Sequence, residues 1–151
     1  MKKFEQAVLD QLDFDGLLHA LDRLVQIPSL DGTAEEVKVQ AETAVLMQSL
    51  GLEVETWEID FAELQTHPAY TAEVERTAGL GVLGSYGRGE GPTLILNGHT
   101  DVVPAGELER WHFPPWRATF NEADGNVYGR GALDMKGGLC CALFAVKAII
   151  D

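Results

Sequence analysis

At Gly51 the hydrophobic period of this chain changes, and that change limits the folds open to it more than any other feature. Upstream, Val37, Ala41, Ala44, Val45, Met47 and Leu50 recur at helical spacing. Downstream, Leu52-Glu53-Val54-Glu55-Thr56-Trp57-Glu58-Ile59 alternates apolar and polar residues, the period of a half-buried strand. Glycine suits the junction because it accepts the left-handed backbone at a helix end. The helix also has a defined start. Thr33-Ala34-Glu35-Glu36 fits a capping box, in which Thr33 caps a free amide and Glu36 reaches back. An earlier helix is predicted from Phe4 to about Gln26, with Leu17, Leu21, Leu24 and Val25 on one face and Ile27-Pro28 ending it.

The same alternation of elements continues. Leu80 to Tyr86 is predicted as a strand, and Gly87 to Pro92 as a turn. Thr93-Leu94-Ile95-Leu96-Asn97 is a continuous apolar run, as expected of a strand buried on both faces. Asp60 to Thr77 reads as a surface helix or long loop, and Val102 to Asn126 as a long loop with one short strand. Asn126 to Gly129 is a further short strand, and a helix begins near Lys136 with Leu139, Leu143, Val146 and Ile150 on one face. Interleaved helices and strands give an α/β class, a three-layer α/β/α arrangement around a mostly parallel or mixed central sheet.

Charge narrows the partners. The net charge is −13, and residues 1–80 hold 5 basic and 16 acidic groups against 6 and 8 in residues 81–151. Nucleic-acid binders and proteins held on anionic membranes cluster Lys and Arg, so neither partner is expected. Cys140 and Cys141 are the only cysteines, adjacent on a helix and badly placed to bond each other. They read as two buried thiols in a reducing cytoplasm. The start lacks the apolar run of a secretory signal, and the stretch Leu139 to Ile150 is too short to span a membrane.

Two segments carry chemistry. In Asn97-Gly98-His99-Thr100-Asp101, residues two apart in extended chain share a face, so Asp101 can accept a proton from one nitrogen of His99. The other nitrogen is then free to bind a metal. In Gly129-Arg130-Gly131-Ala132-Leu133-Asp134-Met135-Lys136-Gly137-Gly138, glycines surround a carboxylate at a helix entrance. Asp134 is there either a helix-capping residue or a hard oxygen ligand. A P-loop, a nucleophile elbow and an H-E-x-x-H pair are absent from the sequence.

Taken together, Asn97 to Pro104, then Trp111 with Pro114-Pro115-Trp116, then Asp124 to Gly138, resemble the co-catalytic zinc deacylases and exopeptidases. These include acetylornithine deacetylase, succinyl-diaminopimelate desuccinylase, aminoacylase and the glutamate-releasing carboxypeptidase. The resemblance implies that His99 and Asp134 are metal ligands, Asp134 bridging two zinc ions, with cobalt as an alternative. It implies that Asp101 orients His99, that Asp134-Met135 is a cis peptide, and that Trp111, His112, Pro115 and Trp116 shape the site. His112 is expected to be structural or on the surface. The implied reaction is hydrolysis of an amide bond in an N-acyl amino acid or small peptide, by a zinc-held water and a glutamate base.

The resemblance also implies what residues 1–151 do not contain. The family's paired glutamates, its remaining ligands and its dimerisation domain fall outside them. The chain is therefore expected to be the N-terminal portion of a cytoplasmic, homodimeric enzyme's catalytic domain, inactive alone. The alternative is a non-catalytic interaction module that does not bind metal tightly. A magnesium phosphohydrolase using Asp101 and Asp134 is weaker, since only Arg130 and Lys136 sit near them to hold phosphate.

Overall fold

The computed structural model describes residues 3–72, 74–87, 89 and 91–151. Helices α1 (Lys3–Leu9), α2 (Phe14–Val25) and α3 (Ala34–Ser49) come first. They are followed by β1 (Glu53–Glu58), α4 (Phe61–Leu64) and β2 (Leu80–Ser85). The chain ends with a 3-10 turn at Leu108–Arg110, then β3 (Thr119–Asn121), β4 (Asn126–Tyr128) and α5 (Lys136–Ile150). The α/β class holds. Among the described residues no helix is long and apolar enough to cross a membrane.

The single helix expected from Phe4 to Gln26 is two helices. Asp13 interrupts it by capping α2, its Oδ1 accepting from the Gly16 amide at 2.8 Å. Gly16 permits this, because a Cβ there would lie 2.2 Å from the Asp13 carboxylate. Leu17, Leu21, Leu24 and Val25 of α2 are buried as expected. They meet Val39, Leu46 and Leu50 of α3 and Leu139, Cys140, Leu143 and Phe144 of α5 in one apolar core.

The buried face of α3 is rotated from the expected one. Val39, Thr43, Ala44, Leu46 and Leu50 are inside, whereas Ala41 and Val45 are exposed. Thr43 can face the core because its hydroxyl donates to the Val39 carbonyl at 2.8 Å, so no polar group is stranded. The capping box is also altered. The Thr33 hydroxyl donates to the Leu30 carbonyl (2.6 Å), and the Glu36 carboxylate accepts from the Gly32 amide (2.7 Å). Gly51 follows with φ +87°, the stop expected of it.

β1 and β2 pair antiparallel, Glu53 opposite Ser85 and Glu58 opposite Leu80, and lie on α3. β3 and β4 form a second antiparallel pair, Thr119 opposite Tyr128. The parallel contact is a single bridge between Leu30 and Val102. The expected strand Thr93–Asn97 is not one: no described strand pairs with it, and Leu94 and Ile95 are 79% and 80% exposed. Continuous apolar character predicts a buried strand only when neighbours flank both edges, and the described residues supply none.

The two cysteines also separate. Cys140 is buried and Cys141 is exposed, because successive helical side chains point about 100° apart. Burial pushes the Cys140 thiol from its ordinary 9.0 up to about 12. The neutral buried thiol therefore contributes stability that is complete below pH 9.0 and lost as pH rises toward about 12. In the folded chain at neutral pH, a thiol reagent should titrate Cys141 alone, and both thiols should react in denaturant. Equal reaction rates for the two in the folded protein would contradict this placement.

Candidate metal centre

The chain leaving the apolar run turns back under α2. Ser29, fully buried, donates its hydroxyl to the Thr100 carbonyl (2.6 Å), and its carbonyl accepts from the Val102 amide (2.9 Å). Asp101 is thus held on both sides. The second segment is formed by backbone proximity. Gly131 has φ +79°, and a Cβ on it would fall 2.5 Å from Val102 Cγ1. A Cβ on Gly137 would fall 2.1 Å from the Ala132 carbonyl oxygen. Only glycine allows the loop to fold this tightly before α5. The Asp134-Met135 peptide is cis, as the resemblance implied.

These segments bring His99, Asp101 and Asp134 together. His99 Nε2 lies 2.9 Å from Asp134 Oδ1. Its Nδ1 lies 3.3 Å from the Asp101 carbonyl oxygen and 3.4 Å from the Asp101 carboxylate. Acceptors stand at both ring nitrogens, so the ring can donate from either side. With the N–H on Nδ1, Nε2 would turn a lone pair toward Asp134 Oδ1, and a cation between them would hold the two together. The 2.9 Å separation is a hydrogen-bond distance, and a metal ion entering between the two atoms would widen it. The Asp134 side chain is 83% exposed, so an ion can reach the pair. A ring nitrogen and a carboxylate oxygen are donors of the kind that hold a divalent metal.

Behind Asp101 lies a network that sequence reasoning missed. Asp31, Glu36 and Asp101 present carboxylate oxygens within 4.8 Å of one another. Such a group resembles a cation site, yet a cation of the chain already serves it. Arg76 donates to Glu36 at 2.9–3.1 Å and reaches Asp31 at 3.4 Å. Burial raises the Asp31 carboxyl above its ordinary value, the adjacent Asp101 raises it further, and Arg76 opposes both. The available signal was Arg76 itself, one of few cations in the strongly acidic first half.

Lys136, expected at the helix start and as a cation near Asp101 and Asp134, points into the core. It is fully buried, and its Nζ donates to the carbonyls of Leu24 (2.8 Å) and Ile27 (2.9 Å). Burial pushes its amine down to about 8, against the opposing charge of Asp101.

The aromatic loop forms a separate surface. The Trp111 indole donates to the Ala105 carbonyl at 2.9 Å, and the Arg130 guanidinium stands 5.2 Å from the Trp111 ring centre. Phe113 stacks on Tyr128 with centroids 4.7 Å apart. Arg110, Trp111, His112, Phe113 and Tyr128 line an open cleft of about 500 Å³. His112 is exposed, and Pro115 accepts the Arg130 amide through its carbonyl (2.7 Å).

Comparison with known proteins bears on this arrangement. Residues 95–151, which contain His99, Asp101 and Asp134, match Peptidase family M20/M25/M40. Succinyl-diaminopimelate desuccinylase of Pseudoalteromonas atlantica is 55% identical over 60 residues, 40% of this chain and 15% of that protein. The protein of the same name from Methylorubrum extorquens is 54% identical over 61 residues, again 40% of this chain. The match thus spans 15% of the length of each of these relatives.

Among solved structures, the di-peptidase Dug1p from Saccharomyces cerevisiae superposes with a TM-score of 0.77 at 20% identity, over 95% of this chain and 30% of that one. Human carnosine dipeptidase 1 superposes with a TM-score of 0.72 at 25% identity, over 100% and 32%. The fold is therefore shared along the whole chain, and the resemblance read from the two motif segments stands.

Proposed function

With residues 95–151 taken as a segment of the M20/M25/M40 peptidase family, we propose that this chain is the N-terminal part of a metal-dependent amidohydrolase. The observation that carries this is the convergence of His99 Nε2 and Asp134 Oδ1 at 2.9 Å, with Asp101 on the other ring nitrogen, inside the matched segment. The substrate class is an N-acyl amino acid or small peptide, and the complete enzyme is a cytoplasmic homodimer. The general-base glutamate and the remaining ligands belong to chain outside these 151 residues. That placement is consistent with the 30% and 32% of the structural neighbours that the chain covers.

The residues present divide the work between them. Asp101 accepts the Nδ1–H of His99 and so fixes the tautomer whose Nε2 is available to a metal. Asp134 stands at the entrance of α5, where the helix dipole favours a carboxylate. His99 and Asp134 would hold zinc, which when bound would supply a water of lowered pKa and polarise the scissile carbonyl. Exposure on the Asp134 side leaves room for substrate beside the ligand pair.

The test is an assay of N-succinyl and N-acetyl amino acid hydrolysis by the complete gene product and by the 151-residue chain. The expected result is activity in the complete protein that a chelator removes and zinc restores, with none in the 151 residues. Hydrolysis that survives chelation would overturn the metal mechanism. Zinc-dependent turnover by the 151 residues would overturn the incomplete site.

A further inference from the structure

The two ligand segments, 97–102 and 131–136, are each tied to a third piece of chain that contributes no ligand. This is the α2–α3 linker with the last turn of α2. On one side, the buried Ser29 hydroxyl holds the Thr100 carbonyl, its carbonyl holds the Val102 amide, and Leu30 bridges Val102. Asp101, the residue that faces His99, sits between these anchors. On the other side, Lys136 leaves the Asp134 loop, crosses the core and donates from Nζ to Leu24 and Ile27. Its own amide donates to Gly131 at 2.9 Å, so the same residue closes the loop that carries Asp134. Both Ser29 and Lys136 are fully buried. A buried polar side chain costs stability unless its bonds are made, and here each bond runs between the linker and a ligand segment.

We infer that Lys136 and Ser29 are positioning residues for the metal site: through the linker Ile27–Leu30 they hold the His99 and Asp134 segments in register. This rests on His99 and Asp134 being ligands, as proposed above. Neither residue touches the metal or substrate. Each acts by setting where a ligand stands. A metal site built on two separate segments loses affinity when either drifts, even with all donors intact, much as removal of outer-shell partners typically costs about 10–100-fold in affinity.

The test uses the complete gene product, stripped of metal, and zinc chloride alone, followed by NMR. The readouts are the nitrogen shift of His99 Nε2 and the carbon shift of the Asp134 carboxyl. In the unaltered chain both signals move with a common half-saturating zinc concentration. In Lys136→Met that concentration rises about 10–100-fold, and the Asp134 signal no longer follows that of His99. Ser29→Ala shifts it in the same direction, and Ser29→Thr, which keeps the hydroxyl, restores it. Amide spectra of the α3, β1 and β2 region report whether each variant is folded; if Lys136→Met is not, Ser29→Ala and its rescue decide. Zinc responses unchanged in the folded variants would overturn the inference and leave the metal site intact. A failure of Asp134 to follow His99 in the unaltered chain would instead overturn the metal site, and the inference with it.

Discussion

On the proposed reading, replacing Asp134 by alanine should lower amide hydrolysis by the complete protein roughly 10³-fold or more, with no loss of folding. A metal that holds the nucleophile and polarises the carbonyl contributes several kcal/mol to the transition state, and each ~1.4 kcal/mol is a factor of ten in rate. The Asp134 side chain is 83% exposed and packs into no core, so its removal should leave stability within about 0.5 kcal/mol. The measurement is turnover, bound zinc and unfolding free energy on the same preparation. His99→Ala should behave alike. Unchanged turnover in either variant would remove these residues from the reaction. A large fall in stability would mean that Asp134 supports the loop rather than the chemistry.

Leu24→Ala is expected to have the opposite profile. Leu24 is 0% exposed and stands in the cluster where α2, α3 and α5 meet. Truncation of such a side chain typically costs about 2–5 kcal/mol, from lost transfer energy and the cavity left behind. Domains of this kind hold only about 5–15 kcal/mol in total. Urea titration should therefore show a much lower midpoint with an unchanged slope. Because the Leu24 carbonyl is backbone, its bond to Lys136 survives, and zinc half-saturation of the folded fraction should stay near that of the unaltered chain. A loss below about 1 kcal/mol would mean that the three helices repack around the gap.

What could be read in the sequence was what depends on neighbours close along the chain. The period change at Gly51, the α2 face and the His99-x-Asp101 spacing all rest on local geometry, and all are present in the structure. What was misread depends on distant partners. Leu94 to Leu96 look like a buried strand, but burial requires flanking strands, and the described residues place these side chains in solvent. Thr43 counts as polar in any periodicity, yet a bond to its own helix lets it turn inward. Arg76 reaches Glu36 across 40 residues and Asp31 across 45, and no local pattern announces such a pairing. The site shows the same division. The placement of His99, Asp101 and Asp134 follows from two short motifs, whereas the buried ties of Ser29 and Lys136 to the linker are tertiary and emerge only in the fold.

The tight approach of Gly131 to Val102 has a consequence for engineering. The glycine-rich segment around Asp134 looks like a self-contained peptide that could be grafted onto another scaffold. Its curvature, however, is defined by a valine on a different segment, against which the backbone at 131 is pressed too closely for even a methyl group. A graft of residues 128–138 alone would carry Asp134 without the surface that bends its loop. The portable unit is the loop together with Val102 and the chain on which Val102 rests.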